Sequence, residues 1–557
     1  MRLIRRRIIL FLGLAALTGC GGASRFVVPE PPPADCRPVP APESREINLA
    51  GDNVDKLFIL PIQRFFDISR HVRSLSGNPR QALNTDAFDE VFNSSWFTNR
   101  NARQRLSLNE IARGPDTGTG PDTSGFWTVV RAKAQGVTPG FSIQDSRGGI
   151  YLLKFDPPGY PELATGAEVV STKLFHAAGY NVPENYLVYF HPNILRLGEE
   201  VKFTDQYGKN RFMNEEDLAK ILSRIEKSPD GRIRAVASKY LPGKPLGSFK
   251  YAGVRKDDPN DLIRHEHRRE LRGLKVMAAW LNHFDTKAGN SLDMYVPEGY
   301  VRHYLIDFGS TLGSQGDEPM PGEVGHEGAA DPDKVFKTIG SLGIYKRHWE
   351  RERNIQFPSI GFFESQDFQP QKYRYILPNP AFMNATGRDH YWGAKLVMSF
   401  TEEQIRAAVA QGQYSDPRAA EYLVRTLVER RDIVGRYCFS RVPPLDEFHL
   451  QNSASGDPAL CFTDLAVQTG LENLPGTTYE CELRQNGRIV SNVQLPGEHA
   501  CIPLPREEEI SEQGEKEAAL EMKIRVRRGL QGNWSNWMSI YIAGEASGQY
   551  RLLGVRR

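Results

Sequence analysis

The sequence predicts an α+β fold that ends in a small antiparallel β-sandwich, and three observations carry that prediction. Between 126 and 240, short apolar runs separated by turn residues read as three strands, a helix and two more strands. From about 263 to 438 the apolar spacing becomes helical, broken by an irregular stretch at 310–380. After about 458, short alternating runs recur with turn residues every ten or so positions, the pattern of a sandwich.

The chain has 557 residues, enough for roughly three to four domains. Hydrophobic residues make up 40% and charged residues 25%, so most of it is expected to fold around a core. Seventy basic residues against 68 acidic ones leave a net charge of +2, which gives no argument for nucleic acid or for an anionic membrane surface as a partner.

Residues 1–20 have the composition of a secretory leader: Arg2, Arg5, Arg6 and Arg7, then an apolar run from Ile8 to Leu17. The ending Leu17-Thr18-Gly19-Cys20 resembles the bacterial lipobox, which implies lipidation at Cys20 and membrane attachment through it. Gly21 follows where an inner-membrane lipoprotein often has Asp, so the expected destination is the outer membrane of a bacterial envelope, facing the periplasm or the cell surface. The alternative is an ordinary leader in which Cys20 is incidental. Nothing later in the chain is long and apolar enough to span a bilayer.

Residues 21–45 hold seven prolines and read as a stiff tether. Residues 46–125 are mixed and mainly helical, ending in the loop Gly114–Gly125. Strands follow at Trp127–Ala132, Phe141–Gln144 and Ile150–Phe155, a helix at Glu162–Ala178, and strands at Tyr186–Phe190 and Ile233–Tyr240. A long helix is expected over 263–281, with Leu271, Leu274, Met277, Ala278 and Leu281 on one face, and further helices over 401–410 and 416–438. Thr401–Gln404 offers a capping box for the first of these.

The long helix runs into His283-Phe284-Asp285-Thr286-Lys287-Ala288-Gly289-Asn290, and 17 residues on, the strand Tyr304–Ile306 runs into Asp307-Phe308-Gly309. This pair of segments resembles the catalytic loop H-x-D-x-K-x-x-N and the metal loop D-F-G of the protein-kinase-like superfamily. Upstream, Lys154 lies on the third strand, sharing a face with Ile150 and Leu152, and Glu168 lies 14 residues further, early in the next helix.

The resemblance implies a two-lobed protein-kinase-like fold, with a small lobe over 126–240 and a large lobe over 241–440, followed by the β-module at 458–557. It also implies a bound nucleotide, ATP or another, with Mg²⁺ or Mn²⁺, and a phosphotransferase whose acceptor in the envelope is unspecified. In those terms Asp307 and Asn290 are metal ligands, and Asp285 aligns or deprotonates the acceptor hydroxyl. Lys287 neutralises the γ-phosphate, and Lys154, oriented by Glu168, clamps the α- and β-phosphates. The adenine hinge is expected near Ser238–Leu241.

Two departures point to atypical kinases of the HipA, CotH and secretory-pathway kinds. The loop Gly136-Val137-Thr138-Pro139-Gly140 replaces the usual glycine loop, with Gly136 and Gly140 left to lay backbone amides over phosphate, and no A-P-E motif follows Asp307. The competing reading is a catalytically silent scaffold or binding lipoprotein, since ATP is scarce outside the cytoplasm.

Other readings stay open at this stage. Thr165-Gly166-Ala167-Glu168 is also a good capping box, so Glu168 has a structural alternative. His265 and His267 sit two apart on a predicted helix and point apart, which argues against a metal pair. Arg525 and Arg527 with Trp534-Ser535-Asn536-Trp537 resemble the W-S-x-W pattern of some fibronectin type III domains, where arginines stack between tryptophans. Cys36, Cys438, Cys461, Cys481 and Cys501 remain for pairing, with Cys481–Cys501 a hairpin-sized interval.

Overall fold

A computed structural model describes residues 26–133, 140–204, 210–329, 336–337, 339–341, 355–452, 456–505, 519–529, 531–544 and 549–557. The chain forms two compact units. The larger comprises residues 31–85 and 90–442, and the smaller residues 26–30, 86–89 and 443–557.

The larger unit opens with a helical segment: α1 (Leu49–Val54), a π-helical turn (Asp55–Ile59), α2 (Leu60–Phe66) and α3 (Ile68–Leu75). A capped single-turn helix, α4 (Leu108–Arg113), follows. Then come β1 (Trp127–Lys133), β2 (Gly140–Gln144), β3 (Ile150–Phe155), α5 (Leu163–Ala178), β4 (Asn185–Phe190), β5 (Leu195–Thr204), β6 (Asn210–Phe212), α6 (Glu215–Leu222) and β7 (Ile233–Lys239).

These strands make one sheet in the order β4-β7-β3-β2-β1-β5-β6, antiparallel except where β5 runs parallel to β1. The alternation of β3 buries Tyr151, Leu153 and Phe155 in the sheet's main apolar core, with Trp127, Phe141, Ile233 and Ile221. Ile150, Leu152 and Lys154 therefore face the other way. Strands β5 and β6 and helix α6 were not expected from the sequence, whose β5 run Leu195–Thr204 mixes charge with single apolar residues.

The rest of the unit is built from β8 (Lys244–Gly247), α7 (Arg269–Trp280), β9 (Ser291–Tyr295), β10 (Val301–Leu305), α8 (Pro380–Met383), α9 (Gly387–Met398), α10 (Glu402–Ala410) and α11 (Pro417–Phe439). The larger unit is thus mixed α+β, a seven-stranded sheet and a three-stranded sheet with helices, as expected. The long helix begins later than expected. Residues His265–His267 form a 3₁₀ turn instead, in which His265 bonds Asp261 and His267 bonds Arg272.

Helices α7 and α9 cross closely because glycines meet there. A Cβ on Gly273 would fall 2.5 Å from Trp392 Cε3, and one on Gly393 would fall 2.7 Å from the Gly273 carbonyl. In the same contact, fully buried Asp389 of α9 pairs with Arg269 at 2.8 Å and Arg272 at 3.2 Å, and accepts hydrogen bonds from Thr386 N and Oγ1.

The proline-rich segment differs from the free tether expected. Residues 35–45 lie along the larger unit: Val39 N donates to Gly299 O, Arg45 N to Leu246 O, and Ser95 N and Oγ to the Asp35 carboxylate. Regular backbone pairing and a buried carboxylate outweigh the stiffness of the prolines. Cys20 and the leader lie outside the described residues. Among the described residues no helix is long and apolar enough to cross a membrane.

The smaller unit is a β-sandwich that starts earlier than position 458. Its first sheet contains β11 (Leu445–Asn452), β12 (Pro458–Asp464) and β15 (Cys501–Pro503) in the order β11-β12-β15, and the short helix α12 (Leu465–Gln468) follows β12. The second comprises β13 (Thr477–Gln485), β14 (Arg488–Pro496), β16 (Ala519–Arg528), β17 (Met538–Gly544) and β18 (Tyr550–Arg556), ordered β14-β13-β16-β17-β18. Leu460, Phe462 and Ile502 of one sheet and Tyr479, Ile524 and Ile540 of the other share a core.

The arginine–tryptophan stack is present: Arg525 lies 4.9 Å over Trp534 and 4.4 Å over Trp537, and Arg527 lies 4.7 Å over Trp534. The disulfide is Cys461–Cys501 rather than Cys481–Cys501, because Cys461 and Cys501 are cross-strand partners on β12 and β15. Cys481 points into the core of the second sheet and is free, as are Cys438 and Cys36.

Two stability predictions follow from this packing. Asp389→Ala removes the buried carboxylate that Arg269 and Arg272 share and uncaps α9, so the urea unfolding midpoint should fall by an amount worth about 3–5 kcal/mol. Cys461→Ser opens a link spanning 40 residues, and in the chain-entropy picture a closure of that length is worth about 4 kcal/mol. Denaturation of the Cys461→Ser chain followed by tryptophan fluorescence should show that loss, and reductant should change its midpoint little.

Candidate active site

The site is assembled on the face of β3 opposite the sheet core. Alternation brings Lys154 to that face, where its Nζ donates to Glu168 Oε1 at 2.9 Å and to Asp307 Oδ1 at 3.0 Å. Glu168 is buried in the second turn of α5 and also accepts from Asn185 Nδ2 at 3.0 Å.

The capping role open to Glu168 is filled otherwise. The helix starts at Leu163, and Thr165 N and Oγ1 both donate to the Asp156 carboxylate. Glu168 is thereby free to face the lysine.

Asp307 follows β10 with φ +68°, a left-handed conformation that turns its carboxylate away from the strand direction. Its side chain is 57% exposed. Phe308 goes the other way, stacking on Phe175 of α5 at 4.9 Å, and Thr311 Oγ1 lies 2.7 Å from Ser171 Oγ on the same helix. Gly309 passes close to Glu168: an added Cβ would sit 3.4 Å from Oε2.

The two motifs, separated in sequence, meet through the backbone, since Ile306 N donates to Asn290 O at 3.1 Å. In the first motif, Lys287 Nζ donates to Asp285 Oδ2 at 2.8 Å. Asn290 Nδ2 donates to Asp285 O at 2.8 Å and to Oδ2 at 3.1 Å. Lys287 is thus tied to Asp285 in this state rather than reaching outward. His283 is buried between Phe175 and Phe308, and its amide donates to Ala278 O, which turns the chain out of α7.

The electrostatics follow from burial and pairing. Burial works against the charge of Lys154, but the carboxylates of Asp307 and Glu168 outweigh it and raise its pKa. The Lys154 ammonium, opposed by burial, holds Asp307 below the usual carboxylate range. Glu168 is raised, because its burial exceeds the help from Lys154. Burial lowers His283, against the pull of Asp285 and Asp307.

The donor set suits a hard divalent cation. Among the described residues, Asp307 Oδ2 and the Asn290 amide oxygen accept no hydrogen bond, and Asp285 Oδ1 is buried without a partner. All three are oxygens, as Mg²⁺ and Mn²⁺ prefer. Gly140 opens β2, where a Cβ would come within 3.1 Å of Leu153 O. Gly136 falls in the stretch outside the described residues. The segment Ser238–Leu241, where a hinge was expected, begins in β7; Lys239 Nζ bonds Glu184 at 3.1 Å and Tyr240 N donates to Ile150 O.

Several supporting residues were not legible in the sequence. Arg430 of α11 donates from Nε to Trp280 O at 2.9 Å and from Nη2 to Ala279 O at 2.6 Å, capping the end of α7 from which the Asp285 loop emerges. Asn379 Nδ2 donates to Thr286 O at 3.2 Å, and Ile376 N to Phe284 O at 3.1 Å. Only the expected helical spacing of α11 hinted at a buried face, and nothing marked Arg430 as turned inward.

No protein-family model and no curated protein matches the chain. Among solved structures it is similar to the Helicobacter pylori proinflammatory kinase CtkA, at 13% identity and a TM-score of 0.29, over 54% of this chain and 91% of that one. It is also similar to the Golgi casein kinase, at 10% identity and a TM-score of 0.27, over 61% and 81% of the two chains. The Golgi casein kinase with Mn/ADP bound is similar over the same shares, at 10% identity and a TM-score of 0.25.

The linked ionisations make the clamp sensitive to pH. With its folded-state pKa below the ordinary 3.8, ionised Asp307 stabilises the fold above that value, and the contribution is lost as pH falls through the depressed value. Lys154→Met should therefore melt below the wild-type chain at neutral pH, with the gap narrowing as the buffer is taken below 3.8. A gap that holds constant into acid would show that Asp307 does not feel Lys154.

Proposed function

We propose that this chain is a kinase-like phosphotransferase, held on a bacterial envelope by an acylated Cys20, that uses a metal–nucleotide complex on an acceptor hydroxyl. The observation that carries the reading is Lys154, bonded at once to Glu168 of α5 and to Asp307 of the second motif. A strand lysine set in this way presents a fixed cation to phosphate oxygens, and Glu168 keeps it oriented.

A divalent cation held by Asp307 and Asn290 would neutralise charge on the β- and γ-phosphates. In this reading Asp285 takes the proton of the acceptor hydroxyl. As that proton leaves, the acceptor oxygen bonds the γ-phosphorus, the bond to the bridging oxygen breaks, and the nucleoside diphosphate departs. Lys287, now on Asp285 Oδ2, would neutralise the transferring group by exchanging that contact for phosphate. The leader sequence and the Leu17–Cys20 pattern support the envelope placement.

Thermal shift and radiolabel transfer on the full chain, with ATP and Mg²⁺ or Mn²⁺, test the reading together. Asp285→Asn should keep the nucleotide-induced shift and lower transfer by roughly 10²–10⁴-fold. Asp307→Asn should abolish the metal-dependent part of the shift. Binding with no transfer to any acceptor from the wild-type chain would leave a silent nucleotide-binding lipoprotein, and equal transfer by Asp285→Asn would sink the mechanism.

A further inference from the structure

Helix α5 carries Glu168, yet among the described residues none of its side chains enters the apolar core of the seven-stranded sheet. Packing in that core therefore does not set the angle at which Glu168 meets Lys154. At its start the helix is fastened by polar contacts, and they converge on Arg234 of β7.

The Arg234 side chain is 11% exposed, and all three of its nitrogens are engaged. Nε donates to Thr165 Oγ1 at 2.8 Å and lies 3.6 Å from Asp156 Oδ2. Nη1 donates to Tyr189 Oη at 2.6 Å and to Gln413 O at 3.0 Å, and Nη2 donates to Gly412 O. Gly412 and Gln413 belong to the turn between α10 and α11. One guanidinium thus joins the sheet, the first turn of α5 and a turn of the helical part.

That turn grips α5 twice more. Ser415 N donates to both carboxylate oxygens of Glu162, the residue before the helix, at 2.9 and 3.1 Å. The Tyr414 ring takes space that glycines leave open. A Cβ on Gly166 would fall 2.6 Å from its Oη, and one on Gly412 would fall 2.7 Å from its Cε2. Further along α5, Phe308 and Thr311 of the Asp307 loop hold Phe175 and Ser171. Glu168 lies between those two attachments.

Capping α5 would need much less than this. Asp156 already receives Thr165 N and Oγ1, and the carbonyls of Gly412 and Gln413 are outside the helix. A planar guanidinium fork suits the place because a hydroxyl, a carboxylate and two carbonyls are met from one nearly buried cation. We infer that Arg234 is a positioning residue, latching α5 to the α10–α11 turn and so holding Glu168 against Lys154. The clamp is then set by the fold and not by a swing of α5. This deepens the phosphotransferase reading and rests on it for its catalytic meaning, while the latch itself belongs to the nucleotide-free chain.

A double-substitution cycle on the full chain without nucleotide tests it. Lys154→Met alone leaves the Glu168 carboxylate buried without its cation and should lower the melting temperature. With Arg234→Ala also present, α5 can turn and hydrate Glu168, so the further drop from Lys154→Met should be half or less of that in the parent. Among the described residues Lys154 bonds Glu168 and Asp307, not Arg234, and unlinked sites add. Equal drops in both backgrounds would therefore overturn the latch.

If Arg234→Ala does not fold, Glu162→Gly reads the same coupling. It removes the acceptor of Ser415 N at a backbone of φ +70°, which glycine adopts readily. Addition of ATP and Mg²⁺ separates the two readings. Coupling in the cycle with no nucleotide-induced shift in the parent keeps the latch and sinks the phosphotransferase. Nucleotide binding and transfer by the parent, with equal drops in the cycle, does the reverse.

Discussion

One ammonium group organises the larger unit. Lys154 Nζ stands between a buried carboxylate on α5 and the carboxylate that ends β10, so a strand, a helix and a distant loop share a single cation. Glu168 is too deep to carry its charge without that partner, and removing one member of such a set leaves the others buried and uncompensated. The clamp therefore constrains more than its own atoms. It requires β3 to keep its register, α5 to present its second turn, and the Asp307 loop to turn through a left-handed residue.

Apolar contacts make that geometry reproducible. Phe308 on Phe175 and Thr311 beside Ser171 fasten the loop to the same helix that carries Glu168, so the carboxylates cannot drift apart independently. Behind the Asp285 loop, Arg430 caps α7. Burial pushes its pKa down to about 10, yet it remains charged at neutral pH and satisfies carbonyls that would otherwise end unpaired in the interior. Asp389 plays the complementary part at the start of α9, taking two arginines from α7 while capping its own helix.

The same economy of polar groups explains why the exposed apolar face of α1–α3 stands out. Elsewhere in the larger unit several charges that enter the interior are paired, as with Arg255 and Asp293 at 3.1 Å. In α1–α3 the Asp52–Lys56 pair is likewise inside, and the phenylalanines are outside.

Much of the architecture was legible in the text of the chain because the signals are local. Period-two alternation located β1, β2, β3, β4 and β7 within a residue or so, and it placed Lys154 on the face away from Leu153 and Phe155. Helical spacing found α5, α10 and α11, and the spacing of His283, Asp285, Lys287 and Asn290 marked the loop after α7. What stayed hidden depends on distance along the chain.

Strands β5 and β6 are stabilised by pairing at a sheet edge rather than by their own pattern. The strap over 35–45 is held by backbone bonds to partners some 200 residues away, such as Ser44 Oγ donating to Pro245 O. The Cys461–Cys501 bond follows from the pairing of β12 with β15. By itself, then, the sequence determined which side chains alternate to which face and which short motifs carry carboxylate and amide side chains. Only the tertiary structure decided that Glu168 answers Lys154 instead of capping its helix, that Arg430 closes α7, and that the phenylalanines of α2 look outward, because each depends on which element comes to lie alongside.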